Sequence, residues 1–525
     1  MSRTAVRPQH LRPTPPSGGQ ARAAWWDVAA VLGPAAVALV VVLVELSSRS
    51  IWIDEAASVT IAAQHGSALW AAIAHDGGSM LGYYLLLHVL DLAFGNGPLV
   101  MRLPSALATA AGVGVLAEIA RRCAGRRAAW ATGLLGAVSL PLVNWGQDAR
   151  GYALMICFVG ASWLALVVAL DLPPGSRRAR RAWVAYAACV ALALYMTFVA
   201  ALVVPAQLVL VLFRRRRARA MLVSLAGAAV ASAPIAVLAV RRGTGQLFWV
   251  PRPNAGELVQ ILKTLASSSL PPSYPQSATS EALLVLSGVA LLAAAGLAIS
   301  SRARAGAPEA WLVALSWLTV PFAVDLAESV VGQSIFEARE LLLAVPAVTL
   351  LLGVGLADSR LPAALGGGAL AALVVLRALQ VVPTYGMSPE NWHAATDYVL
   401  SRSTKADCIA FYPSDGRMAF RYYLGSPSSS ADPRPVLPSA PWTTDFAYVE
   451  RYATLGPGRL GRVASSCPRL WLVSSHVGSA SGPPQSVAHY RRYLALQASL
   501  TRAYGPGKAV AFGWSAPVDV ELFER

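Results

Sequence analysis

The stretch VAAVLGPAAVALVVVLVELSSRSIWIDEA, residues 28 to 56, decides the fold class of this chain. It begins with an apolar run about as long as the ~20 residues that an α-helix needs to cross the hydrocarbon core of a membrane. It ends with two adjacent carboxylates, Asp54 and Glu55, between apolar neighbours. The run predicts a membrane-spanning helix. The acid pair is a candidate functional site, because charged groups at membrane depth are costly and are usually paired or functional.

The composition of the 525-residue chain is that of a membrane protein. Hydrophobic residues make up 56% and charged residues only 13%, against roughly 25% charged residues in an ordinary soluble domain. The net charge of +16 could suggest a nucleic-acid partner, but the arginines lie in short clusters between apolar runs. That distribution is typical of membrane topology, so contact with membrane lipids and no nucleic-acid partner is expected.

The sequence predicts three regions. Residues 1–26 are polar, Pro-rich and basic, and predict a disordered cytoplasmic tail without a cleavable signal peptide. Residues 383–525 predict a small α/β domain, in which DCIAFYP, RLWLVSSH and VDVELFE are the predicted strands. Residues 27–382 between them hold about eleven predicted membrane spans: 27–47, 98–120, 128–146, 151–171, 182–196, 198–213, 218–240, 282–300, 309–330, 337–357 and 361–382.

The arginine clusters predict the orientation of the chain in a bacterial plasma membrane. They all fall on one side if the weakly defined segment 182–213 turns near Tyr195. The positive-inside rule makes that side cytoplasmic, together with the N-terminus. The opposite, extracytoplasmic side then holds the C-terminal domain and the loops 48–97, 144–151, 241–281 and 331–338.

Cys408 and Cys467 both lie in the predicted C-terminal domain. An extracytoplasmic location would permit a disulfide between them, because that compartment is oxidising. The sequence does not give their proximity, so a disulfide and two free thiols both stay open.

Charged residues at the outer boundaries of the predicted spans form the candidate site. A carboxylate can take the proton from an attacking hydroxyl, a second carboxylate can hold a divalent cation such as Mg²⁺ or Mn²⁺, and arginines can bind a phosphate. The alternative for each residue is a local pair that only fixes a helix end, such as Asp148 with Arg150 or Glu337 with Arg339. The candidates are Asp54, Glu55, His75, Asp76, Asp148, Arg150, Arg241, Arg242, Arg252, Glu337 and Arg339.

Four motifs in this order resemble the GT-C glycosyltransferases: WIDEAASVTIA, YYLLLHVLDLAFGNGPLVMRLPSALAT, GQDARGYAL and FEARELLLAVPAVTLLLGVGL. They are similar to the branch with protein O-mannosyltransferases, lipid A aminoarabinose transferases and actinobacterial cell-envelope mannosyl- and arabinosyltransferases. The resemblance covers roughly residues 27–360. It implies a multispanning GT-C fold, a polyprenyl-phosphate-sugar donor and an extracytoplasmic active site.

The resemblance also implies roles for the candidate residues. Asp54 matches the first-loop acid and is expected to be the catalytic base, with Glu55 orienting it and Asp148 as the second-loop acid. Arg339 lies where relatives have RYLL, whereas this chain reads RELL, with Glu340 in place of the tyrosine. Arg150 and Arg339 are the expected phosphate-binding residues of these motifs. Arg241, Arg242 and Arg252 are added because they are basic residues in the predicted outer loop 241–281, where simple contact with anionic lipid is the alternative. The expected metal or acceptor ligands are Asp76, His75 and Glu337, with a solvated histidine in a capped loop as the alternative for His75.

The expected function is transfer of a mannose- or arabinose-like sugar from a polyprenyl-phosphate donor to a glycan, lipid or protein acceptor. A first alternative is a transporter or lipid flippase that uses the acids as ion sites, although the sequence has no internal repeat and no pair of broken helices. A second alternative is a non-catalytic membrane scaffold that presents the C-terminal domain. The scaffold predicts that the outer carboxylates tolerate substitution.

Overall fold

The computed structural model describes residues 18–214, 217–243, 247, 250–271, 274, 277–302, 309–425, 432–443 and 452–525. Within them the chain is a bundle of helices followed by a domain built on a five-stranded sheet. The predicted class, mainly α with a small C-terminal α/β domain, is confirmed. Helix α1 begins at Gly18, inside the predicted disordered tail, and residues 1–17 of that tail lie outside the described residues.

Sixteen α-helices precede the C-terminal domain in the described ranges. Three 3-10 helices join or extend them, at Phe198–Leu202, Glu340–Ala344 and Val382–Thr384. The α-helices are α1 Gly18–Leu43, α2 Ile53–Ala62, α3 Gly66–His75, α4 Leu81–Phe94, α5 Pro98–Ala124, α6 Arg126–Ala137, α7 Leu140–Gly146, α8 Tyr152–Asp171, α9 Arg177–Met196, α10 Val203–Phe213, α11 Ala218–Arg242, α12 Ala255–Leu265, α13 Ala278–Arg302, α14 Glu309–Val331, α15 Val345–Leu356 and α16 Ala363–Val381.

Seven of the described helices are long and apolar enough to cross a membrane, or eight if the bent pair α6 and α7 forms one span. The predicted count of eleven is not confirmed. Three of the predicted spans are not among these helices. One is α9, which carries four arginines in its first two turns. The other two are the shorter apolar helices Phe198–Phe213 and Glu340–Leu356. The chain does break after Met196, next to the predicted turn at Tyr195.

Helices α6 and α7 meet at an angle of 58°, so the predicted span 128–146 is broken. The proline ring of Pro141 would clash with the carbonyl of Ala137 in a continuous helix, and proline has no N–H to donate. Next to the break, the buried Arg377 of α16 donates to the Leu135 carbonyl at 2.9 Å. The bend directs α7 into the second loop, which carries two of the candidate residues.

The C-terminal domain has a mixed sheet in the order β2-β1-β3-β5-β4, parallel among β2, β1 and β3 and antiparallel for β5 and β4. Strands β1, β3 and β5 are the three predicted ones. Cys408 and Cys467 form a disulfide, with their Cα atoms 5.7 Å apart. The elements are α17 Trp392–Leu400, β1 Cys408–Tyr412, α18 Gly416–Leu424, β2 Arg434–Leu437, α19 Pro457–Ser466, β3 Arg469–Ser474, α20 Pro484–Tyr504, β4 Lys508–Phe512 and β5 Val518–Glu524.

One face of this sheet packs against the first loop of the bundle. Side chains alternate between the two faces of a strand, so Ile409 and Phe411 share one core, which also contains Ile51, Ala56 and Ala57. The opposite face packs in a second core with α19 and α20. Helix α2 therefore lies between the bundle and the C-terminal domain, and this double packing fixes the direction of its first turn.

Candidate active site

The acid pair lies in the first turn of α2. A helix N-terminus favours negative side chains, because its backbone dipole is positive at that end. Adjacent residues of an α-helix point about 100° apart, so the two carboxylates enter different surroundings. The side chain of Asp54 is 29% exposed, whereas that of Glu55 is 2% exposed.

Asp54 faces a group that we call the acid–arginine network: Asp54, Arg150, Glu337, Arg339 and Glu340. Arg339 Nη1 lies 3.4 Å from Asp54 Oδ2, and Arg150 Nη2 lies 3.7 Å from the same oxygen. Arg339 Nε also lies 2.8 Å from Glu337 Oε2 and 3.3 Å from Glu340 Oε1. The fold thus brings together candidate residues of three loops, and Glu340, the departure from the family motif, belongs to the same cluster.

Glu55 forms a buried ion pair with Arg102. Arg102 Nε donates to Glu55 Oε1 and Arg102 Nη2 donates to Glu55 Oε2, both at 2.7 Å. The backbone N–H of Ala149 donates to Oε1 at 2.8 Å. Burial alone would raise the pKa of Glu55, but the charge and hydrogen bonds of Arg102 lower it below the ordinary value. Glu55 is therefore an ionised group that ties the first loop to α5 and to the second loop.

Arg102 was missed in the sequence, although other single arginines such as Arg150 and Arg339 were interpreted. Its side chain is 1% exposed, and it also donates to the carbonyl oxygens of Leu46 and Arg49 at 3.1 Å. The signal was present in the sequence: a single arginine near the start of an apolar run needs a buried partner. Glu55 is that partner.

Asp148 lies beside this ion pair and is 4% exposed. Its Oδ1 accepts a hydrogen bond from Trp52 Nε1 at 3.0 Å. Burial and the negative charge of Glu55 raise the pKa of Asp148 well above its ordinary value. Arg150, two residues later, instead contacts α2, donating to the Asp54 carbonyl at 3.3 Å and to Ser58 Oγ at 3.2 Å. The second loop thus supplies an acid with a raised pKa and a cation on two sides of α2.

His75 and Asp76 lie at the end of α3, in the turn that leads to α4. Asp76 is buried and accepts a hydrogen bond from Tyr84 at 2.6 Å, whereas His75 is exposed. The turn needs glycine, since Gly77 has a φ of +71° and a Cβ there would lie 3.0 Å from the Cβ of Arg242. The turn therefore packs against the end of α11. The acceptor or metal roles of His75 and Asp76 stay predictions.

Arg241 and Arg242 occupy the last turn of α11. Arg252 caps the end of α14, since its Nη1 donates to the carbonyls of Ser329 at 2.8 Å and Gly332 at 3.0 Å. These contacts give Arg252 a structural role, because the last carbonyls of a helix lack partners within it. Phosphate binding by these three arginines stays a prediction.

No group of three or more His, Cys, Asp or Glu side chains is arranged as a metal site in the ranges that the structure describes. The three carboxylates of the acid–arginine network surround Arg339 instead. The carboxylates of the acid–arginine network therefore do not form the predicted cation site, whereas a metal ion at His75 and Asp76 stays a prediction.

The comparison with known proteins identifies the architecture. Residues 78–240, less than half of the chain, match the model of the dolichyl-phosphate-mannose-protein mannosyltransferase family. The chain is similar to ArnT from Cupriavidus metallidurans bound to undecaprenyl phosphate, with a TM-score of 0.56 and 15% identity, over 94% of this chain and 97% of ArnT. The chain has the GT-C fold. No protein of curated function matches the sequence.

A second GT-C structure is also similar: the oligosaccharyltransferase AglB from Archaeoglobus fulgidus in complex with an inhibitory peptide and a dolichol-phosphate. Its TM-score is 0.52 with 11% identity, over 93% of this chain and 73% of AglB. The matched family and the GT-C fold together support a GT-C superfamily membrane glycosyltransferase, as the sequence motifs predicted. With its long apolar helices, the chain is an integral membrane protein.

Proposed function

We propose that this GT-C protein transfers a mannose- or arabinose-like sugar from a polyprenyl-phosphate donor to a hydroxyl of an extracytoplasmic acceptor. The acceptor oxygen forms a bond to the anomeric carbon of the donor sugar, and the bond from that carbon to the phosphate oxygen breaks. The polyprenyl phosphate leaves with the electron pair. Asp54 takes the proton of the acceptor hydroxyl, as a general base. The matched family and the lipid phosphates in the ArnT and AglB structures support this type of donor.

The contact between Asp54 and Arg339 carries the proposal. These residues lie 285 positions apart in the sequence and 3.4 Å apart in the fold. A partly exposed carboxylate beside two guanidinium groups combines a base with a binding site for an anion. The GT-C motifs had assigned those two tasks to these same positions, and their closeness in the fold supports the proposal.

In the proposed mechanism, Arg150 and Arg339 hold the phosphate of the donor. Their contacts with Asp54, at 3.7 and 3.4 Å, are longer than the 2.7 Å contacts between Glu55 and Arg102. A phosphate can therefore displace Asp54 from the guanidinium groups more easily than a ligand could open the buried pair. Displacement leaves Asp54 ionised and oriented by α2, ready to accept the proton. The same cations stabilise the charge that develops on the leaving phosphate.

Glu55 is a positioning residue in this mechanism. It is buried against Arg102 and the second loop, so it supports the helix turn that presents Asp54. Asp148 holds the indole of Trp52 at the same turn. Because no described cluster fits a metal ion, no step is assigned to one. Retention of transfer after treatment with EDTA is the expected result, and reactivation by Mg²⁺ or Mn²⁺ would restore the metal hypothesis.

The orientation of the site belongs to the same proposal: the N-terminus is cytoplasmic, and the acid–arginine network and the C-terminal domain are extracytoplasmic. The disulfide between Cys408 and Cys467 supports it, because disulfides persist in oxidising compartments. Fusion of alkaline phosphatase after residue 525 tests the orientation. Phosphatase activity in intact cells is expected. The predicted orientation would be contradicted if the phosphatase fusion were inactive while a GFP fusion at the same position, expressed equally, were fluorescent.

The enzyme activity is tested with purified protein in lipid nanodiscs, radiolabelled polyprenyl-phosphate mannose or polyprenyl-phosphate arabinose, and a membrane extract as the source of acceptor. Labelled product that depends on the protein is expected from one of the two donors. If neither donor yields product but labelled lipid moves across sealed liposomes, the chain is a flippase. If neither event occurs, the scaffold alternative is favoured.

A further inference from the structure

A polar cavity lies between the membrane bundle and the C-terminal domain. Its volume is about 220 Å³. Its walls come from the first loop, the second loop, Tyr274 and three separate segments of the C-terminal domain. Such a meeting point of separate parts of a fold is a common place for a ligand site.

Aromatic rings form one part of the cavity wall. Trp52 and Trp145 both line it and contact each other edge to face, with ring centroids 6.2 Å apart. An aromatic face is electron-rich, and a sugar ring presents C–H groups of slightly positive charge on its faces. A tryptophan wall therefore suits a sugar ring, while a phosphate group would gain nothing from it.

Hydrogen-bonding groups form the rest of the wall. Glu390 and His476 face the cavity from the C-terminal domain, 3.3 Å apart, and Asp148 faces it from the second loop. Arg49 also lines the cavity and donates to Asn144 Oδ1 at 2.8 Å and to the Tyr274 hydroxyl at 2.9 Å. Donors and acceptors therefore both line the cavity, and sugar hydroxyls can both donate and accept.

The charge of the cavity differs from that of the acid–arginine network. Arg102 is neutralised by Glu55, and the guanidinium of Arg49 is bound to Asn144 and Tyr274. Glu390 and Asp148 supply carboxyl groups. Because the two partners of Arg49 are uncharged, its guanidinium keeps its positive charge. The preference for a sugar therefore rests on the aromatic wall and on the mixture of hydrogen-bond donors and acceptors rather than on the charge of the cavity.

The cavity lies next to Asp54 without reaching it. Trp52 and Glu55, on either side of Asp54 in the sequence, line the cavity, whereas Asp54 does not appear in its wall among the described residues. Glu390 connects the two places, because its Oε2 accepts the backbone N–H of Ile53 at 3.0 Å. A ligand in the cavity would therefore bind beside the transfer site, at the base of the helix turn that carries Asp54.

We infer that this cavity is a subsite for an uncharged sugar residue of a glycan acceptor, adjacent to the residue that receives the transferred sugar. The inference rests on the proposed function and narrows its acceptor to a glycan. Binding energy from such a remote residue orients the reacting hydroxyl. Acceptors with two or more sugar residues would then react with a lower KM than single sugars.

Binding is tested by saturation-transfer NMR on the full-length protein in nanodiscs, without donor, using methyl α-D-mannopyranoside and methyl α-D-arabinofuranoside as probes. Ser515→Trp fills the cavity from the C-terminal domain, and Ser465→Trp places the same side chain at an exposed position of α19. At least one glycoside is expected to bind the wild type and the Ser465→Trp variant, with about tenfold weaker binding to Ser515→Trp.

Two results would overturn the subsite: no signal from either glycoside with the wild type, or equal signals with Ser515→Trp. Should Ser515→Trp fail to fold, His476→Ala provides the same test by removing a hydrogen-bonding group from the wall. Complete displacement of the glycoside by polyprenyl-phosphate mannose would assign the cavity to the donor sugar and overturn the acceptor assignment. The binding measurement needs no donor, so it is independent of sugar transfer. If the wild type binds a glycoside but transfers no sugar, the result contradicts the proposed function and not the presence of a sugar site in the cavity.

Discussion

Asp54 and Glu55 are neighbours in the chain but lie in two different environments. Asp54 is partly exposed and its arginine contacts are 3.4 and 3.7 Å long, whereas Glu55 is buried with two contacts of 2.7 Å to Arg102. Asp54 can exchange these two longer arginine contacts for a substrate, and Glu55 cannot give up Arg102 without leaving a buried charge unpaired. The difference assigns chemistry to Asp54 and support of the loop to Glu55.

The largest effect on stability is expected from Glu55→Ala. It leaves Arg102 buried without its carboxylate, and breaking a buried pair in this way costs about 3–5 kcal/mol. The midpoint of thermal unfolding in detergent is the measurement. Glu118→Ala is the matched control, because Glu118 pairs with Arg121 in a more exposed position on α5, where a loss of at most about 1 kcal/mol is expected.

The double variant Glu55→Leu with Arg102→Met sharpens this result. Replacing both members of a buried ion pair by apolar groups is often neutral or stabilising. The double variant is therefore expected to recover most of the stability that is lost in Glu55→Ala. A double variant no more stable than Glu55→Ala would mean that Glu55 acts on the fold through contacts other than Arg102.

A smaller effect is expected from Arg339→Lys on donor binding. Lysine keeps the positive charge but loses the planar fork that binds phosphate through two parallel hydrogen bonds. We expect the KM for the donor to rise about tenfold, or about 1.4 kcal/mol, while thermal stability changes little. Arg360→Lys, in an ion pair with Asp358, is the control. An unchanged donor KM for Arg339→Lys would remove Arg339 from phosphate binding.

The smallest effect concerns the pH dependence of stability, for which Glu55 and Asp148 have opposite signs. The lowered pKa of Glu55 stabilises the fold above the ordinary Glu pKa and is lost as the pH falls. The raised pKa of Asp148 means that the folded chain keeps a proton that the unfolded chain releases. The free energy of unfolding therefore falls as the pH rises from the ordinary Asp range toward that raised pKa.

Asp148→Asn tests this sign. The amide oxygen can still accept from Trp52, but the side chain no longer ionises. Unfolding midpoints measured from pH 5 to pH 9 are expected to decline with rising pH in the wild type and less in this variant. Asp397→Asn, at an exposed position on α17, should follow the wild type. Parallel curves for Asp148→Asn and the wild type would contradict the raised pKa of Asp148.

Much of the fold was predictable, because apolar runs and alternating strands have local signatures. Strands β1, β3 and β5 were found in this way, whereas β2 contains Pro435 and β4 is an exposed edge strand, so both gave weak patterns. The break at Pro141 has a local cause, but its significance depends on the packing of α7 against the loops. The length of an apolar run alone did not separate true spans from shorter buried helices.

The site was predictable as a set of residues but not as an arrangement. Motif order brought Asp54, Arg150 and Arg339 together, and the fold does the same. The motifs favoured Asp54 over Glu55 as the base, but the sequence did not show the burial and pairing that separate the two acids, because these arise from distant residues such as Arg102. The cavity wall, which combines Trp52 with Glu390, depends on a tertiary contact that no local pattern encodes.

The most direct test of the central claim is the single-turnover rate of sugar transfer by Asp54→Asn at the concentration of folded protein used for the wild type. We expect a rate lower by about 10²–10⁴-fold, since a general base contributes that much, with an unchanged unfolding midpoint and donor binding at least as tight as in the wild type. Transfer at nearly the wild-type rate would contradict the assignment of Asp54 as the base.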